Sequence, residues 1–186
     1  DTQNNLGKAV VGTVSGSSIS FGTPVTFLAN NINVMDVSYD TSAQKVLVVY
    51  RDANQSNHGY GKVGTVSGTS ISFGSATEFE DGLITNLAVA YDENAGKHLI
   101  VYADYNDSSY GKAVVATISG TSVSFGSAVT FVSNEANYNQ VVYDSTNQKM
   151  VVAWNRATTA TEAAVATISG TSVSFGTTAT VHSGYD

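Results

Sequence analysis

The apolar positions of this chain fall in short runs separated by small polar turns, and some runs are apolar at consecutive positions. Val46-Leu47-Val48-Val49-Tyr50, His98-Leu99-Ile100-Val101-Tyr102 and Met150-Val151-Val152-Ala153-Trp154 leave no face for water, and Ala113-Val114-Val115-Ala116 is similar. A strand with one wet face alternates, whereas one covered on both sides does not. Helical 3.6-residue periodicity is not sustained anywhere, and β-branched and aromatic residues dominate the runs. The chain therefore reads as all-β.

The runs recur. Ser-Phe-Gly places Phe21, Phe73, Phe125 and Phe175 at spacings of 52, 52 and 50 residues. Tyr-Asp returns at Tyr39-Asp40, Tyr91-Asp92 and Tyr143-Asp144, and an aromatic closes an apolar run at Tyr50, Tyr102 and Trp154. Gly-Lys opens a copy at Gly7, Gly61 and Gly111. Fixed-period self-similarity marks a repeat architecture. Within a copy four strands are predicted: Lys8–Ser15; Ile19–Phe21 continuing as Val25–Phe27; about Asn33–Tyr39; and Lys45–Tyr50. Glycine turns such as Ser15-Gly16-Ser17 join the first two, and the polar loop Arg51–Tyr60 follows the fourth.

Sheets covered on both sides by like sheets, at a period of about 50 residues, fit a β-propeller-type array of four-stranded antiparallel blades. The copies run approximately over 7–60, 61–110, 111–162 and 163–186, about three and a half in all, as a single array. A lone sandwich needs one wet face per strand and fits less well. Three and a half blades do not close a ring of 4–8. The expectation is therefore a longer parent array, or self-association that pairs exposed strand edges between chains. The C-terminal half-copy is expected to lack partner strands, and the phase at which a blade begins stays open.

Ser119–Gly126 (Ser-Gly-Thr-Ser-Val-Ser-Phe-Gly), Val89–Asp92, and Tyr50–Asp52 followed by Tyr60–Lys62 resemble a tandem repeat of large surface or tail-fibre-like proteins of marine phages and bacteria. The resemblance extends from Gly7 onward. It implies an extracellular, adhesive or fibrous setting and brings no catalytic or ligand residue with it. The third copy departs from it, with Arg156–Glu162 replacing the Asp/Asn/Tyr loop.

Composition narrows the function. With eight Lys and Arg residues and a net charge of -7, the chain has no footprint for a nucleic-acid backbone. No apolar run approaches the roughly 18–20 residues that insert across a bilayer. The absence of cysteine removes disulfides, thiolate metal sites and thiol nucleophiles. Asp1–Asn5 reads as a mature or truncated end, without the layout of a signal peptide. Abundant Ser, Thr, Asn, Gly and Tyr lean toward an extracellular or virion-surface location.

Candidate chemistry is sparse. His58, His98 and His182 fall at unrelated repeat phases, and His98 lies inside a strand-like run, packed or surface-facing. Asp40, Asp92 and Asp144 recur once per copy, as turn residues that accept backbone N–H groups do. No catalytic residue is assigned, and a glycosidase, which needs two carboxylates in unlike environments, finds only repeated equivalents. The loop after the fourth strand is the liveliest segment. Asp52, Asn54 and Ser56, and again Asp104, Asn106 and Ser108, put oxygen side chains at alternate positions, as calcium loops begin. Calcium is the one cofactor the pattern admits, against the plainer reading of a polar turn. Asn54-Gln55-Ser56 and Asn106-Asp107-Ser108 are also N-glycosylation triplets. Tyr60, Tyr110, Tyr105 and Tyr138 suit an aromatic surface for glycans or protein partners, although Tyr60 and Tyr110 also suit packing between blades. Phe21, Phe73, Phe125 and Phe175 are expected in the core. Two roles follow: a structural repeat unit of a fibre or surface layer, or a glycan- or receptor-binding adhesin that uses Asp52, Asn54, Asp104, Asn106 and the tyrosines on repeated rim loops.

Overall fold

A computed structural model describes residues 6–156 and 159–184. The described residues form strands joined by tight turns, with one short 3₁₀ turn at Tyr105–Asp107. The strands are β1 (Leu6–Ala9), β2 (Gly12–Ser15), β3 (Ser18–Phe21), β4 (Val25–Asp40), β5 (Lys45–Asp52), β6 (His58–Ser67), β7 (Ser70–Phe73) and β8 (Thr77–Glu80). Then follow β9 (Ile84–Asp92), β10 (Lys97–Asp104), β11 (Tyr110–Ser119), β12 (Ser122–Phe125) and β13 (Val129–Glu135). The last five are β14 (Asn137–Asp144), β15 (Lys149–Arg156), β16 (Ala160–Ser169), β17 (Ser172–Phe175) and β18 (Ala179–Ser183). All pairings are antiparallel.

One hydrogen-bonding scheme repeats. β9, β10 and β11 form a meander, and the far edge of β11 carries β12 and β13 end to end. β14 to β18 repeat this, as do the second half of β4 with β5 to β8. Between the two short outer strands the chain steps away from the ladder. Gly74, Gly126 and Gly176 bridge that step by donating to the carbonyls of Val63, Val115 and Val165.

This scheme fixes the phase. Among the described residues β1 and β2 pair only with the first half of β4 and with β3, so the hairpin without two inner strands is the N-terminal one. The C-terminal hairpin, expected to be unpartnered, is completed by β14 and β15. A strand run announces itself in sequence, but the choice between joining the preceding or the following hairpin is made by long-range pairing.

The sheets stack face to face. Leu47 and Val49 meet Leu87, Val89, Ile100 and Tyr102 between the second and third sheets. Leu99, Val101, Ala113 and Val115 meet Val141, Met150, Val152 and Trp154 between the third and fourth. Leu99–Ala103 of β10 are wholly buried, because both their faces are interfaces. The half-sheet adds Phe27 against Val48 and Tyr50.

Candidate functional site: a polar rim and an open apolar end

The predicted calcium loops are Asx turns. Asp52 ends β5 buried, its Oδ1 accepting from the Asn54 N–H at 3.0 Å and its Oδ2 from the Asn30 amide at 3.0 Å. Asp104 ends β10 in the same way: its Oδ1 accepts from the Asn106 N–H at 3.0 Å and caps the 3₁₀ turn. Its Oδ2 lies 3.7 Å from Lys112 Nζ, which pairs with Asp107 at 2.7 Å. Both aspartates therefore spend an oxygen on their own turn. Each loop then reverses through two left-handed residues, Ser56 and Asn57 or Ser108 and Ser109. Among the described residues no group of three or more acidic, histidine or cysteine side chains is placed to hold a metal ion. Ala157 and Thr158 of the divergent third loop lie outside the described residues.

The tyrosines separate. Tyr60 and Tyr110 are not equivalent, because Tyr60 faces Tyr50 in the β5–β6 ladder while Tyr110 faces Asp104 at the start of β11. The counterpart of Tyr110 is His58, opposite Asp52. Gly59, and not Gly61, matches Gly7 and Gly111, each lying under a phenylalanine (Phe79, Phe27 and Phe131). Tyr-Gly-Lys at Tyr60–Lys62 thus repeats the letters of Tyr110–Lys112 two residues out of phase. Tyr60 stacks on Tyr50 at 6.1 Å, and burial with Asp52 nearby pushes the Tyr50 hydroxyl up to about 12. Tyr105 and Tyr138 are exposed and share one rim, where the Ala136 N–H donates to the Ser109 carbonyl.

Asp40, Asp92 and Asp144 are turn acceptors: Asp40 Oδ1 takes the N–H groups of Ser42 and Ala43, Asp92 that of Ala95, and Asp144 those of Thr146 and Asn147. His98 is fully buried beside Tyr91, with Nε2 3.7 Å from Asp40 Oδ2, too far for a hydrogen bond. Burial lowers its pKa to about 4 despite that carboxylate. Sequence reading missed the Tyr102 hydroxyl donating to Glu80 at 2.7 Å across the second and third sheets. It also missed Glu162, which accepts from Trp154 Nε1 at 3.2 Å. Neither carboxylate recurs at its repeat position, so periodicity gives no sign of them.

The other feature is the N-terminal end, which is open and apolar. Met35, Val37 and Tyr39 are exposed, whereas Leu87, Val89 and Tyr91, one repeat later, are buried. Beside them a groove of about 320 Å³ is lined by Val10, Phe27, Val37, Val48, Val66 and Phe73 among others. Phe21, expected in the core, is 65% exposed. The reason is directional. Phe73, Phe125 and Phe175 reach back onto Phe27, Phe79 and Phe131 of the preceding sheet, and no described sheet precedes Phe21. No protein family, curated protein or solved structure matches the chain.

Proposed function

We propose that this chain is a non-catalytic extracellular structural protein: a β-propeller-type array of four-stranded blades that assembles with further repeats through its ends. The observation that carries this is the open apolar end, where Met35, Val37 and Tyr39 are exposed and no described sheet covers them, while Leu87, Val89 and Tyr91 one repeat later are buried. Stacked repeats cannot bury their faces alone, and an uncovered terminal sheet favours association. The carboxylates that recur once per repeat, Asp40, Asp92 and Asp144, accept backbone N–H groups of their own turns. Sedimentation velocity over a wide concentration range tests the reading: mass should grow with concentration, and micrographs should show oligomers or filaments. A monomer at every concentration overturns it.

A second reading rests on Tyr105 and Tyr138, exposed on one rim. Flat apolar rings that carry a hydroxyl suit sugar faces. Binding on a glycan array that is lost in Tyr105→Ala with Tyr138→Ala would favour it. An array without hits would remove it.

A further inference from the structure

We propose that the N-terminal open end is an acceptor site for a β-hairpin: two antiparallel strands, apolar on both faces, with the pattern of Ile84–Asp104. The inference rests on the assembly reading and names the occupant of the end.

The internal interfaces specify that occupant. In the complete sheets the third strand is flanked on its inner side, β6 by β5 and β11 by β10. Among the described residues their counterpart β1 ends its sheet on that side. His58–Ser67 and Tyr110–Ser119 are continuous strands, whereas the N-terminal counterpart breaks at Val10 and Val11 between β1 and β2. A strand edge lacking its ladder partner supplies main-chain hydrogen bonds to whatever extended segment arrives, and pockets beside it select the side chains. The pocket here is the face of Met35, Val37 and Tyr39. One repeat later Leu87 and Val89 are covered by Leu47 and Val49 of β5, the strand missing from the half-sheet. What fits is therefore a strand that pairs with β1 while its apolar side lies on Val37, preceded in the hairpin by a strand at the inner edge.

By the repeat period Asp1–Asn5 correspond in sequence to 53–57, which lie between β5 and β6, so an added segment ending in Asp104 would join Asp1 with the spacing of one repeat.

The experiment has two arms. In the first, a copy of residues 84–104 is appended directly before Asp1. Hydrogen exchange at Leu6–Gly12 and Met35–Tyr39 should slow by about 100-fold or more as the edge becomes an internal ladder. In the second, a soluble carrier protein displaying the same 84–104 segment is added to the unaltered chain. It should bind saturably and fail to bind Val37→Asp, a change at a 54% exposed position that is expected to leave the thermal melt nearly unchanged. Unchanged exchange at Leu6–Gly12 in a folded extended chain, or carrier binding indifferent to Val37→Asp, overturns the proposal. So does native association of two copies that protects Met35–Tyr39 and that the carrier does not displace, since a second copy is then the occupant and the assembly reading survives. Hairpin capture by a chain that stays monomeric at all concentrations keeps the acceptor site and removes the multi-chain assembly.

Discussion

The N-terminal half-sheet and the third sheet are built from the same sequence pattern and end in opposite environments. Phe21 and Phe125 both follow Ser-x-Ser and precede Gly, yet Phe21 is 65% exposed while Phe125 packs on Phe79 at 5.4 Å. Val37 and Val89 occupy one repeat position, the first 54% and the second 6% exposed. The difference teaches that each repeat is written for its neighbours. A repeat buries little by itself, and its apolar faces gain their free energy only when another sheet is laid upon them.

The sharpest way to break the comparison is to charge both valines. Val89→Asp puts a carboxylate between sheets with no partner and should cost more than about 3 kcal/mol, enough to unfold part of the array. Val37→Asp should cost less than about 1 kcal/mol. Urea denaturation of the pair measures both, and equal losses would mean that the N-terminal face is covered in solution.

Protonation of His98 is next in size. Its counterpart Val46 lines the open groove, whereas His98 is sealed between the second and third sheets. Its folded pKa of about 4 lies below the ordinary 6.5, so the unfolded chain takes up the proton first. Stability is whole above pH 6.5 and falls as the pH drops toward 4, by up to about 3 kcal/mol. His98→Met, the residue found at Met150, should flatten that slope in thermal melts across this range.

The glycine pair sharpens the comparison at the opposite end. A Cβ at Gly126 would overlap the carbonyl oxygen of Thr171 in the next sheet, while at Gly176 the nearest atom is Val165 O at 3.6 Å. Gly126→Ala should lose about 1–3 kcal/mol by forcing two backbones apart, and Gly176→Ala should be near neutral. The smallest effect is expected for Phe21→Ser, within about 0.5 kcal/mol, because that ring is 65% exposed and lies beside Gly12 of its own hairpin with no described sheet upon it. A larger loss in a concentration-dependent Tm would reveal a covered end.

Much of the fold was legible because it is local. Lys45–Tyr50 is predicted as a strand and Lys45–Asp52 is one, and the both-faces-apolar pattern marks β5 and β10 as buried on both sides, whereas β15, apolar from Met150 to Trp154, is fully buried only at Met150, Val152 and Trp154. The turn role of Asp40, Asp92 and Asp144 followed from residue chemistry alone. At the candidate site the reading reached less far. Asp52 and Asp104 share a turn, as their spacing implied, but Tyr60 and Tyr110 share only letters. Tyr-Gly-Lys occurs at two registers, and only the ladder shows that Tyr60 faces Tyr50.

The sequence by itself determined the period, the strand runs, the turns and the requirement that sheets lie on sheets, because these depend on residues near one another in the chain. Tertiary structure decided which hairpin is left incomplete, which of four like phenylalanines meets water and which carboxylate meets which hydroxyl. Those outcomes depend on partners about fifty residues away or on the absence of one, and a repeating pattern reads the same in either case.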